Sequence, residues 1–273
     1  MRAKFYTVSQ HENGGRLSLY LEQSLSQIAV AFGHSFLIRN VAMEEAAQHL
    51  GEDETAISIL AESASFAPLA QQAGAFALER AFFHNFRSSL LKRDGSPQGT
   101  IVAPVDGSDK NEAAVRAHLN RIGKNDYIDI KKTPALIETL INSPENMGMV
   151  ACSYDAGRIL KSLATKLYGL TPYYYETMLG KGFAINAAPV EKEQKADGMS
   201  PFGMYFAAAR TLLHVMKLEQ EGNCLKTSII NILDAGWRTE DCVFEGCRVT
   251  TTEKVCDLVN EQIALVGELM SQY

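Results

Sequence analysis

The sixteen residues Met149-Val150-Ala151-Cys152-Ser153-Tyr154-Asp155-Ala156-Gly157-Arg158-Ile159-Leu160-Lys161-Ser162-Leu163-Ala164 decide the fold class of this chain. Met149 to Ser153 is a short apolar run, the pattern of a buried strand. A brief turn follows, and a helix is expected to begin around Ala156. A strand feeding directly into a helix is the repeating unit of α/β architectures.

The same alternation extends in both directions. Upstream, Lys4 to Val8 reads as an opening strand, and a helical pattern runs from Arg16 to Phe32 after Gly14-Gly15. His34 to Val41 reads as a second strand, Met43 to Leu50 as a helix, and Thr55 to Glu62 as a short helical or extended segment. A helix is expected from about Ala75 to Leu91, and strands at Thr100 to Val105 and Tyr127 to Ile130. Helices are expected at Asn111 to Ile122 and Thr133 to Ile141, the second stopped by Asn142-Ser143-Pro144. Downstream, the helix of the opening stretch continues through Tyr168, followed by a bend at Gly169 to Tyr175 and irregular chain to Gly198. Helices over Pro201–Glu221, Leu225–Ala235 and Thr251–Met270 close the pattern, with Pro201 in the first turn, where proline is tolerated.

The bulk properties limit the function classes. The chain has 273 residues, 46% of them hydrophobic and 21% charged, which is ordinary for a globular protein with a sizeable core. Its net charge is -6, and no lysine- or arginine-rich block occurs, which argues against nucleic acid or an acidic membrane surface as partner. The apolar runs are too short to span a bilayer, and Met1 to Val8 lacks the apolar core of a secretion signal, so a cytoplasmic location is the default expectation. The five cysteines (152, 224, 242, 247 and 256) contain no C-x-x-C pair and are an odd number, which disfavours both a zinc site and a disulfide framework. The six histidines are dispersed, and G-x-S-x-G, H-E-x-x-H, P-loop and G-x-G-x-x-G runs are missing.

The stretch Ala156-Gly157-Arg158-Ile159-Leu160-Lys161-Ser162-Leu163-Ala164 resembles the F-G-D-I-L-S-D-L-A motif of the β-decarboxylating dehydrogenases of the isocitrate/isopropylmalate type. Further segments resemble that family in the same order. His84-Asn85-Phe86-Arg87 resembles its N-L-R-P, Asp126-Tyr127-Ile128-Asp129 its Y-V-D strand end, and Gly169-Leu170-Thr171-Pro172 its G-L-G-L-A-P bend. Ser200-Pro201-Phe202 resembles its N-P-I-A helix start, and Ala235-Gly236-Trp237-Arg238-Thr239-Glu240-Asp241 its G-x-R-T-x-D. The resemblance covers roughly Asn85 to Asp241. It implies an isopropylmalate-dehydrogenase-like, two-lobed α/β/α sandwich, here shortened, with the tyrosine region and the clasping arm missing between Arg87 and Thr100. The implied lobes are 1–102 plus 186–273, and 103–185, with a ligand cleft between them. The family's mode of pairing implies a homodimer formed through helices like Gly157–Tyr168 and Pro201–Leu218.

The departures from the family bear on chemistry. Two of its metal-binding carboxylates are Arg158 and Ser162 here, and Asp129 alone matches the third. A guanidinium cannot ligate a cation, and one carboxylate holds magnesium weakly. Asp129 is thus a metal-site remnant, expected to be vacant. Arg158 is expected to fill the vacated space and pair with Asp129, where its planar fork could also take a small carboxylate; the competing reading is a solvent-exposed Arg158. Asn85 and Arg87 align with substrate-binding positions, and Arg80, seven residues before Arg87 on the same expected helix, could complete a clamp or simply form a solvated face. Lys110 matches a lysine that moves protons in the family, although Asp109-Lys110-Asn111 also reads as an ordinary helix-capping turn. Gly14-Gly15 reads as a tight turn or as an anion-binding helix start. Tyr173-Tyr174-Tyr175 is expected to pack between lobes. The family's nucleotide loop, resembling H-G-S-A-P-D-I-A-G, is matched by Ala187 to Gly198, with no histidine and no Gly-Ser pair.

The family's cofactors are Mg and NAD(P), and neither is expected here. The favoured reading is a catalytically degenerate relative binding a small acidic metabolite or a protein partner. The alternative is an active, divergent oxidoreductase acting on a 2-hydroxy acid like isopropylmalate or isocitrate.

Overall fold

Phe5, Tyr6 and Val8 on the first strand are buried on alternating faces, so the strand is covered from both sides and sits inside a sheet. The computed structural model describes residues 3–50, 52–61, 78–81, 101–102, 128–129, 133–143, 149–152, 154–168, 172–179, 182–190 and 195–271. Nine strands form one mixed sheet among them: β1 (Lys4–Ser9), β2 (Leu37–Asn40), β3 (Thr55–Ala61), β4 (Leu78–Ala81), β5 (Ile101–Val102), β6 (Ile128–Asp129), β7 (Met149–Cys152), β8 (Tyr175–Leu179) and β9 (Phe183–Pro189), in the order β2-β1-β3-β9-β8-β4-β7-β5-β6. β2, β1, β3 and β9 are mutually parallel, and so are β7, β5 and β6. The antiparallel strands β8 and β4 join the two groups, which therefore point in opposite directions.

Helices cover both faces, as an α/β/α sandwich requires. On one face lie α1 (Glu12–Ala31), α5 (Phe202–His214), α6 (Glu219–Asp234) and α7 (Thr252–Ser271), sharing a core with Phe5, Ala56, Leu60, Tyr175, Ala184 and Ala188. On the other, α2 (Met43–Gln48) covers Tyr6, Val8, Ile57, Ile59, Met178 and Ile185. A third cluster joins α3 (Thr133–Asn142), α4 (Tyr154–Tyr168) and β7 around Leu140, Val150, Leu160 and Tyr174. Every residue of α5 from Phe202 to Leu212 is buried. A helix buried on all sides belongs at the centre of a core, where each large apolar side chain contributes roughly 1.5–3 kcal/mol, and here it also takes Arg210 and Thr211 inside.

Several sequence expectations need correction. The stretch expected to be irregular after the bend at Gly169 to Tyr175 instead supplies β8 and β9, two central strands. Their signal is weak because Ala184, Ala187 and Ala188 are small, and on the face toward α5 Ala184 and Ala188 let that helix approach the sheet closely. Gly203 serves the same approach, since a Cβ there would lie 2.5 Å from the Tyr174 carbonyl oxygen. Thr55 to Ala61 is strand throughout, and Leu78 to Ala81 is strand rather than part of a helix. The helix begun at Pro201 ends at His214, and Lys217, with φ of 56°, reverses the chain before α6. α1 starts at Glu12, so Gly14 and Gly15 lie inside its first turn and form no separate turn. Gly14 is needed for close approach, since a Cβ would lie 2.4 Å from the Leu60 carbonyl oxygen. The buried triplet Tyr173-Tyr174-Tyr175 does pack: Tyr173 and Tyr175 in the large core, Tyr174 in the α3–α4 cluster.

Candidate functional site

β7 runs directly into α4, and its neighbours β5 and β6 bring Asp129 to the same carboxyl edge, with Val102 in register between Asp129 and Val150. Ligands of open parallel sheets bind at such edges. Arg158, Ile159 and Ser162 occupy the exposed face of the first turns of α4. The side chain of Asp129 lies outside the described residues, and so does the expected Arg158–Asp129 pairing. Arg80 lies on β4, paired in register with Val150 of β7 and Glu176 of β8, not on a helix with Arg87. The shared-helix-face clamp therefore lacks its basis: side chains three to four residues apart are neighbours only on helices. Asn85, Arg87 and Lys110 lie outside the described residues.

A charged cluster unnoticed in the sequence lies under α4. The Lys161 ammonium is 3.0 Å from a carboxylate oxygen of Glu176 on β8, which is only 3% exposed. The Tyr174 hydroxyl donates to the same oxygen at 2.6 Å, and Lys161 also lies 5.6 Å from the centre of the Tyr174 ring. Strand alternation turns Glu176 away from α5 and toward α4. The available signal was a lysine in the serine position of the motif, one turn after Arg158. Helix α4 thus carries Arg158 where the motif it resembles carries an acid, and Lys161 where it carries a serine. Among the described residues, no three His, Cys, Asp or Glu side chains gather as metal ligands would. The donor set presented by α4 does not suit a divalent cation.

At the other parallel edge, α1 is tied to the segment that follows β9. His11 caps α1, its Nδ1 accepting from the Gly14 amide at 3.4 Å, while its Nε2 lies 3.0 Å from the Val190 carbonyl oxygen. One nitrogen accepting and the other donating corresponds to the neutral Nε2–H tautomer. Arg16 adds an ion pair to Asp197 at 3.0 Å. These contacts bridge the helix start to the stretch aligned with the family's nucleotide loop. The Gly236-to-Asp241 motif is likewise occupied by structure. The Arg238 guanidinium, which is buried, donates to the carbonyls of Leu233 at 2.8 Å and Trp237 at 2.7 Å. Asp241 accepts from the Thr239 hydroxyl at 2.6 Å and the Ser200 amide at 2.8 Å, anchoring the start of α5. Burial pushes the Tyr173 phenol and the Cys242 thiol beside this motif upward, so both stay protonated at neutral pH.

With this geometry in hand, the chain can be set beside known proteins. No protein-family model matches it. It is 22% identical over 147 residues to the 3-isopropylmalate dehydrogenase of Thermosynechococcus vestitus, a match covering 51% of this chain and 41% of that one. The chain thus spans about two fifths of the length of the curated relative it matches. The β-decarboxylating dehydrogenase of Thermococcus kodakarensis superposes with a TM-score of 0.61 at 14% identity, covering 96% of both chains. The isocitrate dehydrogenase of Methylococcus capsulatus gives 0.63 at 10% identity, over 96% of this chain and 99% of that one. A chain from the peripheral stalk of the Euglena gracilis mitochondrial ATP synthase gives 0.58 at 12% identity, over the same shares. The fold is that of the β-decarboxylating dehydrogenases. Over the 147 matched residues the sequence is similar to 3-isopropylmalate dehydrogenase.

Proposed function

We propose that this protein keeps the dehydrogenase scaffold without its metal- and NAD(P)-dependent oxidative decarboxylation, and that it binds a small carboxylate at the carboxyl edge of β7, β5 and β6 or serves a protein partner. The observation that carries the reading is Arg158, exposed on α4 at a position where the motif holds a metal-binding acid, with Ser162 at the place of the second acid. A cation there favours an anionic ligand directly, with Arg158 as the bidentate donor and Asn85, Arg87 and Arg80 as further candidates around it. The bridges from His11 to Val190 and from Arg16 to Asp197 also disfavour a nucleotide held in the family's manner. The partner side of the reading is supported by the Euglena gracilis chain, which shares this fold and sits in the peripheral stalk of an ATP synthase.

The working unit on this reading is a homodimer of two-lobed protomers (1–102 plus 186–273, and 103–185). Since α5 is consumed by its own protomer's core, α4 supplies the contact, with Ile159 and Leu167 both about half exposed. No helix among the described residues is long and apolar enough to cross a membrane. The alternative of an active oxidoreductase draws on the partial match to 3-isopropylmalate dehydrogenase.

Thermal unfolding in the presence of small di- and tricarboxylates, and separately of NAD or NADP with magnesium, tests the reading. A ligand that binds the folded chain raises the melting temperature by mass action, by about 2.7 kcal/mol of stability at a hundredfold excess over Kd. The expected result is a shift with a carboxylate alone that Arg158→Ala abolishes. A shift that requires nucleotide plus magnesium would establish the oxidoreductase instead.

A further inference from the structure

The balance of charge under α4 bears on which anion the carboxyl edge of β7 can take. Glu176 of β8 is 3% exposed, and one of its carboxylate oxygens lies 3.0 Å from the Lys161 ammonium and 2.6 Å from the Tyr174 hydroxyl. Lys161 is also held over the Tyr174 ring, 5.6 Å from its centre. The Lys161 side chain is 24% exposed, so the pair reaches the surface through the lysine. Directly opposite Glu176 in the antiparallel register stands Arg80 of β4, a second basic residue beside the same acid.

Arg158 is in the opposite condition. It is exposed, and among the described residues no carboxylate lies within ion-pair distance of it. Residues three apart on a helix are neighbours, so Lys161 is the nearest second cation on α4 to a carboxylate held by the Arg158 fork. That cation is already neutralised by Glu176. Lys166, also exposed, lies two turns beyond Arg158, roughly 12 Å along the axis and past the span of a four-carbon diacid. Charges a few ångströms apart near a protein surface change affinity several-fold, so the number of uncommitted cations decides how many ligand charges are favoured.

We infer that Glu176 fixes the charge of the ligand: by neutralising Lys161 it leaves Arg158 as the uncommitted cation in the first three turns of α4, so the site selects a monocarboxylate. Di- and tricarboxylates bind through one carboxylate and gain nothing from the others. This rests on the carboxylate site proposed above and adds its ligand class. Glu176 touches no ligand; it is a positioning residue that acts through Lys161.

Butyrate and succinate, a monoanion and a dianion of equal carbon number near neutral pH, are the probes, titrated by calorimetry into the full chain and its variants. The parent is expected to bind succinate no more tightly than butyrate. Glu176→Gln, which releases the lysine charge, should move the ratio by about fivefold or more toward succinate, and Lys161→Met, which leaves the acid, should move it the other way. The double variant with Lys161→Met and Glu176→Gln is neutral again and should return to the parent ratio, a recovery that a merely structural role does not produce. If Glu176→Gln alone fails to unfold cooperatively, Lys161→Met against the double variant carries the same comparison. High salt should shrink these differences, because the pair reaches the surface. The same ratio in all four proteins, or a parent that already prefers succinate by about tenfold, would overturn the inference while leaving the carboxylate site standing. A parent that binds neither acid removes the site itself, and the inference with it.

Discussion

Lys161 and Glu176 show what one substitution can change when its neighbourhood is already buried. Exposed ion pairs contribute little, but a carboxylate at 3% exposure cannot be left alone without a large desolvation cost. Lys161→Met is expected to destabilise the chain by roughly 3 kcal/mol, because it removes the ammonium beside a buried carboxylate. Lys161→Met combined with Glu176→Gln should recover most of that loss, since the amide oxygen still accepts from the Tyr174 hydroxyl. Urea denaturation of the two single variants and the double variant gives the coupling directly. Equal stability of the Lys161→Met variant and the parent would show that the pair contributes nothing. At this scale the sequence was only half legible. Arg158 is visible because it replaces a motif position, whereas the partner of Lys161 comes from a strand fifteen residues later.

Among the elements, α4 and α5 resemble each other in the sequence as apolar helices suited to subunit contact, yet the fold uses them differently. α5 is covered on all sides by α6, β8 and β9, and α4 leaves Ile159 and Leu167 at the surface. If α4 forms the dimer contact, Ile159→Asp should produce a monomer in sedimentation or light scattering with little change in melting temperature. An unchanged dimer would place the contact elsewhere. Periodicity reveals amphipathic helices such as α1 and α7 because one face must be polar. It fails for β8 and β9, where small alanines and buried polar residues meet. Thr177 donates to Asn186 at 2.9 Å, and Asn186 donates to Thr211 of α5 at 2.9 Å, a satisfied buried network that reads in one dimension as a polar loop. The strand Leu78–Ala81 was lost for a related reason: its four residues carry two charges, and its pairing partners β7 and β8 lie far along the chain.

The whole molecule inherits a dependence on pH from its buried thiols. Burial is the main cause raising both Cys224 of α6, to about 11, and Cys256 of α7, to about 12. An unfolded thiol releases its proton near pH 8.5, so above that pH the folded chain binds more protons than the unfolded one. The contribution to stability is therefore complete below about pH 8.5 and is lost as pH rises toward the folded values, at about 1.4 kcal/mol per pH unit for each thiol. Denaturation midpoints measured from pH 7 to 10.5 should fall along that slope. The variant with Cys224→Ala and Cys256→Ala should show a shallower fall, and an identical one would place the pH dependence in other groups.

Helix α1 packs in parallel against α7, with the Ser24 hydroxyl donating to Asn260 and Ala31 against Gly267, and this pairing has a consequence for synthesis. α1 emerges from the ribosome with Leu17, Leu21, Leu25 and Ile28 ready for burial, while Val255, Val259 and Ile263 of its neighbour are made more than 220 residues later. At the usual 5–20 residues per second, the first helix waits on the order of 10 to 45 seconds for its partner. Strand β3 waits about half as long, because β9 must be inserted beside it from the second half of the chain. The nascent first half thus carries an uncovered apolar helix face and an unpaired strand edge for most of its translation. Both are surfaces that chaperones hold, so the architecture that joins the two ends of the fold also makes the growing chain a client of the folding machinery.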